Sequence, residues 1–130
     1  MSLYVTLKLQ IKSKRALINA LNRADCSARI DLDRTVDRGD SVLIYLKNFV
    51  GPLTVTIGKE IRYDEDNFQS RFTGQSIQAE RWGRLEDLCM FYTAEAAKED
   101  AAAKELSFEE VWEGNDLFVE TSHAGFEGTN

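Results

Sequence analysis

The order of hydrophobic patterns along the chain predicts an α+β fold, with a mainly antiparallel sheet and two helices packed on one of its faces. Alternation of apolar and polar residues opens the chain and recurs in its middle, helical periodicity occurs twice, and a hairpin pattern surrounds Gly114-Asn115. At 130 residues the chain has the size of one domain. We therefore expect a single α+β domain over residues 1–123 and a flexible carboxyl-terminal tail over 124–130.

Two clear periodicities predict the first strand and the first helix. Residues 3–11 alternate apolar and polar side chains, which indicates a strand with one buried face. Ser13 then precedes Leu17 and Leu21 at helical spacing, so it is the expected N-cap of an amphipathic helix. Arg23 falls on the polar outer face of that helix.

The middle of the chain predicts a loop followed by several strands. Residues 25–41 are polar and mixed in charge, so we expect a loop with a short strand over 28–32. The run SVLIYLKNF (41–49) is apolar on both faces, which is typical of a central strand. After a turn at Gly51, the run LTVTIGKEI alternates from Leu53 to Ile57, and Gly58 is predicted to be a turn residue. The segment 68–72 alternates as well.

Acidic residues cluster at 64–67, in the sequence DEDN. A calcium loop of the EF-hand type needs glycine at its sixth position and glutamate at its twelfth, where this chain has Gln69 and Gln75. Asp and Asn are also favoured in turns, because their side chains bond their own backbone. The segment is therefore predicted to be the tip of a hairpin, and we expect no metal site there.

The second half predicts a long helix and a terminal hairpin. Trp82 directly precedes residues 83–106, whose apolar stripe includes Tyr92 and whose alanine-rich part has high helix propensity. Residues 107–121 are typical of two short strands around Gly114-Asn115, a pair that tight hairpin turns favour.

Composition favours an ordinary globular protein, with 43% hydrophobic and 29% charged residues. No apolar run approaches the roughly 20 residues that cross a bilayer, and the amino terminus alternates instead of carrying the apolar core of a signal peptide. We therefore expect a cytoplasmic protein without membrane contact. Cys26 and Cys89 lack a metal-binding or disulfide spacing, so both are expected to be buried thiols.

The net charge of −6 is unevenly distributed. Residues 1–62 hold 11 Lys and Arg against 6 Asp and Glu, whereas residues 63–130 hold 5 against 16. An acidic second half repels phosphates, so general nucleic-acid binding is not expected. It would favour encounter with a basic partner.

Residue types that carry most enzymatic chemistry are sparse. His123 is the only histidine, no His or Cys cluster has metal-ligand spacing, and no glycine-rich phosphate loop occurs. No catalytic, cofactor-binding or metal-binding residue is therefore predicted. The alternative of a carboxylate-dependent enzyme acting on a small substrate remains, because one of Glu109 and Glu110 is expected to face the core. Burial there would raise the pKa of that carboxyl group toward the range of a general acid.

Aromatic residues near the terminal hairpin are the remaining candidates. Trp82 and Trp112 either cap one end of the core or, where exposed, anchor a partner, because Trp is common at interface hot spots. Phe118 is expected close to them. Together with the carboxylates of Glu109 and Glu113, these aromatics form the predicted partner-binding set.

Several segments together resemble the Ycf35-like family of hypothetical chloroplast reading-frame proteins, found in cyanobacteria and plastids. They are ALINALNRA in the first helix, the run LTVTIGKEIRYDEDNFQSRF, FYTAEAAKEDAA in the long helix and LSFEEVWEGNDLFVE in the terminal hairpin. Tyr92, Ala94, Phe108 and Gly114 match that pattern. This chain has Ser2-Leu3-Tyr4 where the family has Ser-His-Phe. The resemblance implies no established activity and no catalytic residue.

These observations predict a non-catalytic binding or regulatory protein that acts through a protein or a small ligand. An acidic inhibitor of phage or mobile-element type, occupying a basic surface on a host defence protein or nuclease, is the alternative that the charge favours, above all if Glu86, Asp87, Glu99 and Asp100 gather with Glu109 or Glu113. A homodimer formed through the aromatic patch is also expected, because short terminal strands leave an open sheet edge.

Overall fold

The computed structural model describes residues 4–47, 49, 51–64 and 77–123, with the backbone alone for 4–8, 62–64, 77–86 and 123. Its elements are β1 (Tyr4–Gln10), α1 (Lys14–Cys26), β2 (Leu32–Asp37), β3 (Ser41–Leu46), β4 (Leu53–Thr56), β5 (Glu60–Asp64), α2 (Ile77–Ala103), β6 (Leu106–Glu113) and β7 (Asp116–His123). The predicted α+β class is confirmed, and every strand pair in this part of the chain is antiparallel.

The described strands form three small sheets, β1-β5, β2-β3-β4 and β6-β7, where the sequence predicted one sheet. The division falls within LTVTIGKEI at Gly58, which the sequence predicts to be a turn residue. Gly58 adopts a positive φ of 88°, so the chain turns between β4 and β5, and the two strands belong to different sheets. The turn still holds to β1, because the Gly58 amide donates to the Ile11 carbonyl at 2.6 Å.

Helix α1 has the predicted N-cap and an ending that the sequence analysis missed. The Ser13 side chain accepts a hydrogen bond from the Ala16 amide. At the other end Ala28 has φ 59°, its amide donates to Asp25, and the Arg29 amide donates to Ala24, which together make a Schellman cap. Because residues 28–30 are tied to the helix end, the strand predicted over 28–32 is wrong, and β2 begins at Leu32.

The core forms where α1, α2 and the β2-β3-β4 sheet meet. Val42, Ile44 and Leu46 on β3 are buried while the residues between them are half-buried, so β3 is the central strand of its ladder, as predicted, with one face fully covered. Leu17 and Leu21 on α1 face the same cluster. Further core side chains are Ile11, Ala16, Ala20, Ala24, Ile30, Phe49, Leu53, Val55, Ile61, Leu88, Phe91, Tyr92, Ala94 and Leu117.

Helix α2 begins six residues earlier than predicted, at Ile77, and packs against α1 and against both strands of the terminal hairpin. Trp82 therefore lies within the helix and not before it. Within the described part of the chain, no helix is long and apolar enough to span a membrane. No disulfide joins the two cysteines, and Cys26 is exposed in the last turn of α1, contrary to the expected burial, while Cys89 is half-buried on α2.

The terminal hairpin is confirmed. β6 and β7 pair over eight residues, from Leu106 opposite His123 to Glu113 opposite Asp116. The two-residue connection has φ 62° at Gly114 and no positive φ at Asn115, which fits a type II′ turn. Among the described strands, neither β6 nor β7 pairs with another one.

Three predictions fall outside the described residues. They are the DEDN hairpin tip after Asp64, the strand over 68–72 and the tail over 124–130.

Candidate functional site

The register of the β6-β7 ladder divides its side chains between two faces, because residues opposite each other in a pair point to the same side and neighbours along a strand alternate. The inner face lies toward the helices and consists of Phe108, Glu110 and Trp112 with Leu117 and Val119. The outer face lies away from them and consists of Glu109, Val111, Glu113, Asp116, Phe118 and Glu120. Burial fits this division, since Leu117 is 8% exposed and Phe118 is 48% exposed.

The predicted partner-binding set is therefore split by the fold. Trp112 lies on the inner face, whereas Phe118, Glu109 and Glu113 lie on the outer one. Trp82 belongs to the part of α2 of which only the backbone is described. The structure thus brings three of the five residues to one surface.

On the inner face, Glu110 binds cations from both helices. Its carboxylate accepts two hydrogen bonds from Arg23 on α1, at 2.6 and 2.5 Å, and one from Lys98 on α2, at 2.7 Å. Glu95 completes the cluster through ion pairs with the same Arg23, at 3.4 Å, and with Lys98. Two cations and two carboxylates therefore balance, and this charge cluster joins α1, α2 and β6.

This pairing overturns the raised pKa that was expected for a buried Glu109 or Glu110. The Arg23 hydrogen bonds, with help from Lys98 and against the opposing effect of burial, lower the pKa of Glu110 to about 2. The hydrogen bond to Glu110 likewise raises the pKa of Arg23. Glu110 is thus a carboxylate at neutral pH and has no proton to donate as a general acid, and Glu109 is exposed on the other face.

Aromatic rings surround the charge cluster. The guanidinium carbon of Arg23 lies 4.9 Å from the ring centroid of Phe91, and Phe91 meets Trp112 edge to face at 6.2 Å. One side of Trp112 is held in this way, yet the residue remains 44% exposed. The inner face thus fixes the hairpin to the helices and leaves part of Trp112 at the surface.

The outer face has an apolar pair between two pairs of like charges. Val111 lies opposite Phe118 at its centre. Glu109 lies opposite Glu120 on one side of that pair, and Glu113 lies opposite Asp116 on the other. Like charges directly opposite in a ladder destabilise it. Among the described residues, none of these four carboxylates has a salt-bridge partner.

A gathering of Glu86, Asp87, Glu99 and Asp100 with Glu109 or Glu113 would have favoured the acidic inhibitor, but the three of these four side chains that are described lie elsewhere and are bound. Asp87 pairs with Arg29 at 3.0 Å and Asp100 with Lys104 at 2.9 Å. Glu99 accepts a hydrogen bond from the Ser13 hydroxyl at 2.6 Å. The side chain of Glu86 is outside the described residues. The acidic surface that does form comes from β6 and β7 alone.

A cavity of about 580 Å³ lies between the start of α1 and α2. Leu9, Tyr92 and Ala96 line it, together with Ser13 and Glu99. The polar groups at this cavity serve the fold, because the Tyr92 hydroxyl accepts the amides of Lys12 and Ser13 at 2.8 and 3.2 Å and Ser13 donates to Glu99. The carboxylates that line it, Glu99 and Asp100, are each engaged by a neighbour.

Sequence analysis missed the roles of Arg23 and Tyr92. Arg23 was assigned to the outer face of α1, and Tyr92 was one member of an apolar stripe. Both contact groups that are about 80 or more positions away in the sequence. Arg23 binds Glu110, and Tyr92 binds the junction between β1 and α1. The only local signal was a polar atom at the edge of an apolar stripe, which does not say which distant group it meets.

The described residues contain no group of three or more His, Cys, Asp or Glu side chains placed to hold a metal ion. No family model matches the chain, and no curated protein or solved structure matches it either.

Proposed function

We propose that this chain is a non-catalytic protein-binding domain whose contact surface is the β6-β7 hairpin. The observation that carries the proposal is the position of exposed aromatic residues. Within the described part of the chain, the three large hydrophobic side chains that are exposed are Phe108 (45%), Trp112 (44%) and Phe118 (48%), and all three lie on this hairpin. A concentration of exposed aromatics on one element marks an interaction site better than scattered ones do.

The anchoring of the hairpin supports a binding role. Side chains of both helices hold Glu110, and Phe91 holds one edge of Trp112. The exposed aromatics therefore stand on a fixed element, which reduces the entropy lost when a partner is bound. Action in the cytoplasm is part of this proposal.

The acidic outer face favours a second candidate, an inhibitor of phage or mobile-element type that occupies a basic surface of a host defence protein or nuclease. Glu109, Glu113, Asp116 and Glu120 present four negative charges on one face of a two-stranded ladder. The two candidates differ in the identity of the partner and share the same contact surface. Membership of the Ycf35-like family also remains a proposal. It would not distinguish between the two candidate functions, because the family has no established activity.

Affinity capture from lysate of the source cells tests the proposal. Bait proteins are the wild type, the hairpin variants Phe108→Ser and Phe118→Ser, and the control Thr54→Ser, which alters an exposed residue on β4. We expect the wild type and the control to capture a protein that at least one hairpin variant fails to capture. Binding of that protein should slow amide hydrogen exchange in residues 106–123. Equal capture by all four baits, or protection confined to other elements, would contradict the proposal.

Hydrolase and transferase screens test the rival enzyme class. We expect no turnover that depends on Glu109 or Glu110. An activity that disappears in Glu109→Gln while the fold is retained would replace the binding proposal with a carboxylate-dependent enzyme.

A further inference from the structure

We infer that the outer face of the β6-β7 hairpin recognises a basic polypeptide segment that carries an apolar side chain between two cationic groups. This inference rests on the proposed binding function and adds to it the chemistry of the partner. It is drawn from the geometry of the outer face, from the charge balance in the rest of the chain and from the exposure of Phe118.

The geometry sets the spacing of the groups that would bind. Glu109 and Glu113 are four residues apart on β6, and Asp116 and Glu120 are four residues apart on β7. At about 3.4 Å per residue, the two like-charge pairs lie roughly 14 Å apart, with Val111 and Phe118 midway between them. An extended segment with cations at two positions and an apolar residue midway, all on one face, has the same spacing.

The charge balance explains why the partner should be cationic. Five of the described basic residues of the first half form ion pairs within the molecule, as in Lys14–Asp37 at 2.9 Å and Arg34–Asp33 at 2.8 Å. The four carboxylates of the outer face lack such a cation among the described residues, and their cross-strand placement costs stability in the isolated protein. A basic partner would remove that repulsion on binding, so charge complementarity selects it.

The same charges disfavour other occupants of this face. A second copy pairing through the same surface would bring eight carboxylates together in an isologous contact. Nucleic acids and anionic membrane surfaces carry the same sign of charge as the face. A basic polypeptide combines the positive charge and the apolar group that the outer face accommodates.

Phe118 is what distinguishes this surface from a solvated acidic patch. Nearly half of its side chain is exposed at the centre of the face, directly opposite the half-buried Val111. Burying that ring against a partner excludes water from the neighbouring carboxylates and strengthens their ion pairs. We therefore expect binding that needs both the ring and the charges.

Selection from a displayed library of random 12-residue peptides tests the inference, with the purified full chain as bait at low ionic strength. We expect enriched peptides to carry two Lys or Arg four positions apart with an apolar residue midway. Their affinity should fall when salt is raised from 50 to 500 mM, because screening weakens exposed ion pairs. Enrichment of neutral or acidic peptides on the hairpin would overturn the inference.

Three variants separate this inference from the proposed function. Glu109→Gln/Glu120→Gln removes one like-charge pair, and Asp40→Asn/Glu60→Gln removes the same charge from exposed sites elsewhere. We expect the first to bind a selected peptide about tenfold more weakly and the second to bind as the wild type does. Equal loss in both would show a general charge effect and overturn the inference. If Phe118→Ser keeps full binding, or if no peptide is enriched, this inference is overturned, whereas the proposed function is decided separately by the capture experiment with the Phe108→Ser and Phe118→Ser baits.

Discussion

The guanidinium of Arg23 and the carboxylate of Glu110 form a two-pronged ion pair between residues 87 positions apart, with Nη1–Oε1 at 2.6 Å and Nη2–Oε2 at 2.5 Å. Planar, bidentate contacts of this type are the strongest that side chains make in proteins. The pair is three-quarters covered, so solvent screens it less than a surface pair. It is the main polar connection between α1 and the terminal hairpin.

Replacing Glu110 by glutamine should weaken the fold. Glu110→Gln keeps the shape of the side chain, removes its charge and leaves Arg23 and Lys98 with Glu95 as their only described anion. Because hydrogen bonds to charged groups contribute more than neutral ones, we expect a loss of about 2 kcal/mol in the free energy of unfolding, measured by urea denaturation. The matched control Glu109→Gln, on the outer face, should change stability by less than about 0.5 kcal/mol. Equal effects of the two variants would contradict the structural role of the charge cluster.

The contribution of Glu110 should depend on pH in a defined direction. Its pKa is about 2 in the folded protein against an ordinary 4.5, so its stabilisation is fully present above pH 4.5 and is lost as the pH falls toward 2. The stability difference between wild type and Glu110→Gln should therefore be constant from pH 7 to 5 and shrink steadily below 4.5. Urea denaturation at several pH values measures this difference, and a gap that widens on acidification would show that the pKa is raised instead.

Removing the hydroxyl of Tyr92 should loosen the start of α1. In Tyr92→Phe the amides of Lys12 and Ser13 lose their acceptor in a half-buried setting. We expect a loss of about 1–2 kcal/mol in the free energy of unfolding and faster hydrogen exchange at those two amides. Tyr45→Phe is the control, because the Tyr45 ring stacks under Arg34 and keeps that contact without its hydroxyl. Unchanged exchange at Lys12 and Ser13 would show that the hydroxyl does not hold this junction.

Glycine should stabilise the cap of α1. Ala28 has φ 59°, a left-handed conformation that costs roughly 1 kcal/mol for a residue with a Cβ atom and little for glycine. We therefore expect Ala28→Gly to raise the melting temperature. Ala102→Gly, an exposed substitution in the last turn of α2, should lower it, because glycine costs entropy in a regular helix. A fall in both variants would be inconsistent with the Schellman cap.

The expected homodimer remains a prediction, and the fold narrows the surface that could form it. The acidic outer face repels a second copy of itself, whereas Phe108 and Trp112 lie on the inner face with large exposed areas. We expect light scattering to report a dimer for the wild type, a monomer for Phe108→Glu and a dimer for Phe118→Glu. A monomeric wild type at high micromolar concentration would end the dimer hypothesis.

Much of the secondary structure was predictable because it depends on neighbouring residues. Alternation over 3–11 predicted β1, Ser13 marked the start of α1, and Gly114-Asn115 marked the hairpin turn. The secondary-structure prediction failed where the backbone conformation depends on more than the residue type. Ala28 adopts a glycine-like φ to close α1, where the sequence predicted the start of a strand.

The candidate site was predictable only in part. The sequence pointed to Trp112, Phe118, Glu109 and Glu113, and alternation along a strand already places Phe118 and Leu117 on opposite faces. Which face meets the helices depends on tertiary packing. Alternation also places Glu110 on the face of Trp112, but its pKa depends on Arg23, a residue 87 positions away that no local pattern connects to it.

The ladder between β1 and β5 has a consequence for synthesis of the chain. Tyr4 pairs with Asp64, so the first strand leaves the ribosome some sixty residues before its partner. The β2-β3-β4 ladder closes between Leu32 and Thr56, and the terminal hairpin closes within residues 106–123. Local contacts form faster than distant ones, so the middle of the nascent chain gains structure first. During that interval β1, whose sequence alternates apolar and polar residues, has no partner strand to pair with.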